Sequence, residues 1–456
     1  MTFEEHLKKY LNENEIAQLT QSFLNEEKKA IYLNTNKMSE KTLKTLFPNI
    51  KNHPIVPNGF LYDKNEYELG KKIYHEQGAY YIQEPSAMLV ANFLDAKPNE
   101  IILDLCAAPG GKTIQTALRM NNTGLIVAND LSKSRANVLL SNIERMGISN
   151  VVVTSLDFKN QYQKFYEYFD KIILDAPCSG SGMFRKSEEM LKDWTYEKVI
   201  KNSLIQKELI LMCYKMLKKG GTMVYSTCSY SFEEDEEVVE YLLKNTDATL
   251  VNIPSFKGEY RSSKDNKTVH LLPSHFSGEG HYIALIKKPG TSVPSKIEPI
   301  EITRASESKG NKKEINKFIL PSKLPTKFEE LSLRPGLFKE TLLNEKLIPS
   351  HHYSHASSAE SSIELTKEEV VKYLKGETIN KKHPNGYFFV SYLNINLGVV
   401  YCLNNVLKNY YPKGLRFNAD IKTSFWFLNF FRNLHIINIF NILSTEVIDL
   451  FVDFFF

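Results

Sequence analysis

The sequence predicts an α/β protein built on a parallel sheet with helices on both faces and smaller modules before and after it. Three observations point there: five short apolar runs between residues 101 and 228, helix-forming stretches between them, and a glycine-rich turn directly after the first run. The runs are IILDL (101–105), GLIVAND (124–130), NVVVTSLD (150–157), KIILDAP (171–177) and TMVYSTC (222–228). Near-continuous apolar composition is what a strand buried on both faces requires. Before the last run, Ile205, Leu209, Met212 and Met216 recur at helical spacing and Gly220 and Gly221 stop them, so that face is expected against the sheet.

Around this core, from residue 79 to 288, the composition changes. Residues 1–78 carry helical spacing at Phe3, Leu7, Tyr10 and Leu11 and then the turn-rich HPIVPNGFLYD, which predicts a small α-rich lead domain. Residues 289–326 gather Pro, Ser, Lys and Glu and read as a linker. In residues 327–416, LTKEEVVKYLKGE predicts a helix and GYFFVSYLNINLGVVY a hairpin, followed by the basic and aromatic VLKNYYPKGLR. Residues 417–456 form an atypical tail rich in Phe and Ile, interrupted by Arg432, Glu446, Asp449 and Asp453 before a membrane-spanning length accumulates.

The bulk numbers narrow the class. A chain of 456 residues exceeds what one hydrophobic core serves, and 42% hydrophobic with 24% charged residues excludes a fibrous or disordered protein. A net charge of +4 from 57 basic and 53 acidic residues permits a polyanionic partner without demanding one. Five scattered cysteines and an N-terminus without a long apolar run predict a cytoplasmic protein with neither disulfide framework nor export signal. A monomer is expected, with no membrane contact.

The chemistry concentrates at the ends of the strands. DLCAAPGGKT (104–113) lies where the first strand gives way to a helix; Gly110 and Gly111 let a ligand approach the backbone, and the helix start offers N–H groups. Asp130, Asp157 and Asp175 close the second, third and fourth strands and therefore point at one crevice, with Asp130 placed to accept from ribose hydroxyls. Each aspartate taken alone also suits a helix cap. The loop lacks the GxGxxG of a dinucleotide site, so a methyl donor fits better than NAD, and a thiol-dependent oxidoreductase is the weaker reading.

DAPCSGSG (175–182) and YSTCSY (225–230) each set a cysteine just past a strand end, Cys178 and Cys228, among Pro, Ser, Gly and Thr. Cys213, inside an amphipathic helix, reads as core, whereas these two read as reactive. A thiolate beside a methyl donor makes sense where the acceptor is an electron-poor carbon such as C5 of cytosine: addition to C6 makes C5 nucleophilic. A carboxyl group is then needed on the N3/N4 edge, and Asp175 is the candidate.

CAAPGGK, DAPCSGSG and STCSY resemble the motifs of the NOL1/NOP2/Sun group of RNA cytosine-C5 methyltransferases. GAYYIQEPSAM (78–88) and LLPSHFSGEGHYIALIKK (271–288) resemble segments flanking that group's catalytic core. The resemblance implies a class I methyltransferase (Rossmann-like) sheet and S-adenosyl-L-methionine as cofactor, held by Cys106, Ala107, Ala108, Pro109, Gly110, Gly111 and Lys112 together with Asp130, Asp157 and Asp175. It further implies Cys228 as nucleophile and Cys178 as the residue that assists release of the product. SHASSAE and VLKNYYPKGLR resemble the C-terminal region of the bacterial F-type small-subunit rRNA enzymes, implying a PUA-like RNA-binding domain and rRNA as substrate. The 40 residues after Arg416 depart from that pattern and receive no function.

RNA sites combine cations for phosphates with aromatic faces for unstacked bases. Arg185 and Lys186, next to the Cys178 loop, and Lys408, Tyr410, Tyr411, Lys413 and Arg416 are the candidate contacts. The three histidines of HHYSH (351–355) lack the further ligands a metal site needs, and no metal is expected. Two alternatives stay open: a tRNA cytosine-C5 methyltransferase with the same chemistry, and a non-catalytic RNA-binding or ribosome-assembly protein on the same fold, against which both cysteines argue.

Overall fold

A computed structural model of the chain describes residues 1–186, 191–262, 266–293, 295, 297–307, 313–322, 324, 328–343 and 345–416. At its centre is a sheet of β1 (Ile101–Asp104), β2 (Leu125–Asn129), β3 (Val151–Thr154), β4 (Phe169–Asp175), β5 (Leu217–Thr227), β6 (Thr249–Val251), β7 (Val269–His270) and β8 (Tyr282–Lys287). The order across it is β6-β8-β5-β4-β1-β2-β3, with β7 paired to β8. β1 to β5 run parallel, and β8 closes the sheet antiparallel to β5. The five runs read as strands are these five parallel strands.

Alternation along the strands divides the core. Ile102, Ile126, Val153 and Ile173 pack with α1 (Ala87–Leu94), α2 (Gly111–Arg119) and α3 (Lys133–Met146). Leu103, Val127, Val152 and Ile172 pack with α4 (Tyr196–Met216) and α5 (Glu236–Asn245). Each fully buried aliphatic side chain stabilises by about 1.5–3 kcal/mol relative to exposure, so both faces carry the fold. Cys213 is fully buried in α4, as a core residue.

The expected face of α4 is buried in part: Met212 and Met216 lie in the core and Leu209 packs against it, whereas Ile205 is only partly buried and the covered surface also runs through Val199, Ser203, Gln206, Ile210 and Cys213. Ser203 and Gln206 are polar by type, which shifts the apparent apolar stripe around the helix. The stop also comes earlier than Gly220 and Gly221: α4 passes into β5 at Leu217.

The lead region is helical at Phe3–Leu7, Glu13–Ser22 and Glu40–Leu46, and the spacing read at Phe3, Leu7, Tyr10 and Leu11 outruns the first helix, which ends at Leu7. It also contains an antiparallel sheet ordered Lys51–Asn52, Gly59–Tyr62, Lys29–Leu33 and Tyr80–Gln83. Strands of two to five residues are too short to announce a period of two against neighbouring helical spacing.

The stretch read as a linker, 289–326, instead holds an antiparallel pair, Pro299–Glu307 with Lys313–Pro321, extended by Leu337–Leu343 and Lys346–Pro349 to four strands. Ile300 and Ile302 alternate with Glu301 and Thr303, so a hairpin polar on one face passes for linker composition. Beyond it, Arg334 is 2% exposed and donates to the Val151 and Ile148 carbonyls at 2.7 Å each. The Val153 N–H returns a bond to the Arg334 carbonyl at 2.9 Å, fastening this half of the chain to β3, the outer parallel strand.

The helix expected at LTKEEVVKYLKGE spans Lys367–Lys375 under a Thr366/Glu369 capping box, and the expected hairpin pairs Gly386–Tyr392 with Ile395–Leu403 in a five-stranded sheet. HHYSH lies in the helix His351–Ala356, where the Nε2 atoms of His351 and His355 approach to 3.3 Å. The tail at 417–456 lies outside the described residues. No described helix is long and apolar enough to cross a membrane.

Candidate active site

Strand order reverses between β1 and β4, since the chain moves from β1 outward to β2 and β3 and then returns to the other side of β1. Beyond the carboxyl ends at such a switch point, a doubly wound sheet receives its ligand. The loop after β1 is laid against its neighbours by backbone bonds, Leu105 N–H to the Ile173 carbonyl at 3.1 Å and Ala107 N–H to the Asn129 carbonyl at 2.7 Å. Gly110 has φ 115°, and a Cβ there would lie 3.0 Å from Leu139 Cδ1, so glycine is required for the turn into α2. Arg135 donates to the Ala108 carbonyl at 2.9 Å and Asn142 to the Pro109 carbonyl at 2.9 Å, holding the loop from α3.

The charged residues at the strand ends differ in environment. Lys112 donates to Asp175 Oδ2 at 2.8 Å, and the Ser226 hydroxyl donates to Oδ1 at 2.7 Å. Burial works to raise the Asp175 carboxyl, yet Lys112, His281 and Ser226 leave it below the usual carboxylate range. Asp130 is buried; its Oδ1 accepts from Ser132 N–H at 3.0 Å, while Oδ2 takes no hydrogen bond and faces the exposed Arg135 at 3.3 Å. Asp157 is exposed and caps a short 3₁₀ turn by accepting from Lys159 N–H at 3.0 Å. Burial pushes the thiol of the partly exposed Cys106 up, so it stays neutral within the loop.

The two cysteine loops converge. Cys178, after β4, and Cys228, after β5, bring their sulfurs to 3.0 Å as free thiols, each partly exposed. The hydrogen bond to Cys228, with burial added, pushes the Cys178 thiol well above its ordinary value, so Cys178 holds its proton against Cys228. The Gly182 N–H donates to the Cys228 carbonyl at 2.7 Å, and the Tyr230 N–H to Ser181 Oγ at 2.9 Å, tying one loop to the other.

Several residues that build this site were not singled out from the sequence. Glu234 and Gln206 join the cysteine loops from behind. Glu84 accepts from Ser86 N–H at 2.9 Å and Glu279 N–H at 2.8 Å, and Ser86 Oγ lies 3.0 Å from His281 Nδ1, which links the segments 78–88 and 271–288. Glu234 stood in the charge run FEEDEEVV, which reads as a solvated helix start; only the fold buries it. The one signal available was that Ser follows each of the two cysteines.

The expected RNA contacts separate. Arg185 has a side chain only 5% exposed and spends its guanidinium on the carbonyls of Gly278, Asn25 and Glu26, which makes it a tie between segments. Lys186 ends the 3₁₀ turn Ser181–Lys186 that also carries Arg185, and its side chain lies outside the described residues. Tyr411 is corrected: at 4% exposure it is a core residue packed against Tyr373 and His351, with no free face for a base. Its neighbour Tyr410 is 42% exposed, and Lys408 and Lys413 are exposed. Arg416 is half-buried and donates to the Tyr411 carbonyl at 3.3 Å. One residue of offset along the chain separates the inward from the outward tyrosine, which composition alone does not reveal.

Among known families, three models match this chain: the 16S rRNA methyltransferase RsmB/F over residues 91–287, the N-terminal domain of 16S rRNA methyltransferase RsmF over 1–85, and the methyltransferase RsmF PUA domain over 360–417. The ribosomal RNA small subunit methyltransferase F of Shewanella piezotolerans is 34% identical over 430 residues, 85% of this chain and 90% of that protein. The tRNA (cytosine(49)-C(5))-methyltransferase of Pyrococcus abyssi is 39% identical over 274 residues, 57% of this chain and 88% of that one. A solved methyltransferase homolog from Pyrococcus horikoshii superposes with a TM-score of 0.56 at 30% identity, covering 62% of this chain and 93% of its own.

Proposed function

The chain belongs to the 16S rRNA methyltransferase RsmB/F family, and from that premise we propose that it forms 5-methylcytosine in small-subunit ribosomal RNA with S-adenosyl-L-methionine as methyl donor. The observation that carries this reading is the approach of Cys178 and Cys228 to 3.0 Å beside the Lys112–Asp175 pair.

The residues at the switch point fit the donor. Gly110, at φ 115°, keeps the turn free of a side chain, and Asp130 Oδ2 is a buried acceptor without a hydrogen-bond donor, which a ribose hydroxyl would satisfy. The segment from Cys106 to Lys112, with Asp130, Asp157 and Asp175, would line that cofactor. When bound, S-adenosyl-L-methionine supplies an electrophilic methyl group. The chain's own residues do the rest. The Cys228 thiolate adds to C6 of cytosine, and the electron pair moves through C5 and the C4–N3 unit, making C5 the nucleophile that takes the methyl group. Asp175, kept charged by Lys112, accepts from the N4 amino group and holds the ring. A water molecule or hydroxide takes the C5 proton, the C5–H electron pair re-forms the C5–C6 double bond and the C6–S bond breaks, so Cys228 leaves as thiolate while Cys178, which keeps its proton, assists release by hydrogen-bonding the departing sulfur.

Ribosomal RNA is favoured over tRNA because the Shewanella relative aligns over 85% of the chain, whereas the archaeal tRNA enzyme aligns over 57%. RNA is the partner, and exposed Lys408, Tyr410 and Lys413 on the C-terminal module are its proposed contacts there. The deciding experiment incubates purified variants with methyl donor and cytosine-containing rRNA and looks for a covalent protein–RNA adduct. Cys178→Ser is expected to accumulate the adduct, and Cys228→Ser to give neither adduct nor product. The reverse pattern would overturn the assignment of roles, and bisulfite mapping that shows a lost mark in tRNA alone would overturn the ribosomal substrate.

A further inference from the structure

Ser179 follows Cys178 and Ser229 follows Cys228, and both serines turn toward one carboxylate. Glu234 is fully buried. Its Oε1 accepts from the Ser179 N–H at 2.8 Å and from Gln206 Nε2 at 3.2 Å. Its Oε2 accepts from the Ser179 hydroxyl at 2.5 Å and the Ser229 hydroxyl at 2.6 Å. Four donors fill the acceptor capacity of a carboxylate. Gln206 extends the same grip by donating to the Pro177 carbonyl at 2.8 Å, so the Cys178 loop is held on both sides of its sulfur.

We propose that Glu234 is a positioning residue that sets the register of both cysteine loops at once and thereby fixes how closely the two sulfurs approach. No described hydrogen bond joins Glu234 to either sulfur, so it acts through Ser179 and Ser229. Its neighbour works on the same loop from the other side: Asp235 accepts the Thr227 hydroxyl at 2.5 Å, one residue before Cys228. The carboxylate is specifically suited because it offers acceptors only. A glutamine in its place keeps a single acceptor oxygen: its amide end either meets the Ser179 N–H and Gln206 Nε2 donor against donor, or faces the two hydroxyls, which must then turn to accept, and either way the charge-assisted hold on the loops is weakened. A displacement of about 1 Å at a reacting group costs on the order of 10²-fold in rate.

This inference rests on the reading that both cysteines act on the target base, and its first readout does not depend on that reading. The full-length wild type, Glu234→Gln and Ser229→Ala are treated with diamide, which takes one hydrogen from each thiol as Cys178 and Cys228 close to a disulfide, and closure is followed by mass spectrometry. Closure at least tenfold slower in Glu234→Gln, with a thermal midpoint near that of the wild type, is the expected result. In methylation assays the same variant is expected to lose about 10²-fold in kcat while KM for the methyl donor changes less than twofold. Closure at the wild-type rate, or an undiminished kcat, would overturn the proposal. Should Glu234→Gln fail to fold, Ser229→Ala decides by the same rates, since it removes one anchor and leaves the carboxylate in place. If Cys228→Ser still methylates RNA, the functional reading fails while the closure rates continue to judge Glu234.

Discussion

Lys112 and Asp175 meet at 2.8 Å, so the loop after β1 and the end of β4 share one ion pair on the two sides of the switch point. Both side chains are largely covered, where an unpaired carboxylate is costly.

Lys112→Met is therefore expected to let burial win at Asp175 and raise its carboxyl. The acid limb of the kcat profile should move to higher pH, with kcat lower by roughly 10²-fold at neutral pH. A pH–rate profile with an unmoved acid limb would contradict this.

Asp104 lies under the same loop, fully buried, with Oδ2 accepting the Thr113 hydroxyl at 2.6 Å and Oδ1 without a partner. Burial pushes its carboxyl up to about 7. Between the unfolded value of 3.8 and that figure the folded state binds a proton that the unfolded state has released, so stability falls as pH rises across this window. Asp104→Asn removes this dependence. Relative to the variant, the wild type is expected to lose on the order of 3 kcal/mol between pH 4 and pH 7, read from denaturant unfolding at each pH.

The adjacent tyrosines of the C-terminal module should behave oppositely. Tyr411→Ala empties a core site against Tyr373 and is expected to cost about 3–5 kcal/mol of stability. Tyr410→Ala, on the outside, is expected to leave the thermal midpoint unchanged and weaken RNA binding by about 1–3 kcal/mol. Equal effects of both on RNA affinity would remove Tyr410 from the interface.

Arg334→Ala strips the Val151 and Ile148 carbonyls of their donor and removes the guanidinium that lies 3.9 Å from the partly buried Glu144, which keeps His352 at 3.2 Å. Destabilisation of roughly 2–4 kcal/mol is expected, together with faster proteolytic cleavage between residues 289 and 334. Unchanged protease resistance would show that the docking does not depend on this side chain.

The parallel strands and the loops at 104–113, 175–182 and 225–230 could be read from residue type because each sits where an apolar run breaks into Gly, Pro, Ser or Cys. That pattern is local. Glu234 and Gln206 could not be read, because a glutamate in FEEDEEVV and a glutamine in a helix look solvated until the fold closes over them. The strands at 299–307 and 313–321 were hidden by their own lysines and glutamates, and the direction of Tyr411, two residues past the end of its strand at Asn409, depended on tertiary packing against Tyr373 and His351 that no single sequence displays. Arg185 shows the remaining gap: its charge suggested phosphate, while tertiary contacts give it three carbonyls.

The anchoring of the C-terminal half at β3 has a geometric consequence. Four strand spacings of about 4.8 Å each, roughly 19 Å in all, separate that rim from β5, which carries Cys228. A rigid sheet of this width works as a caliper. If the C-terminal module holds RNA and Cys228 meets the base, as proposed, which cytosine is chosen becomes a question of measured length as much as of local sequence.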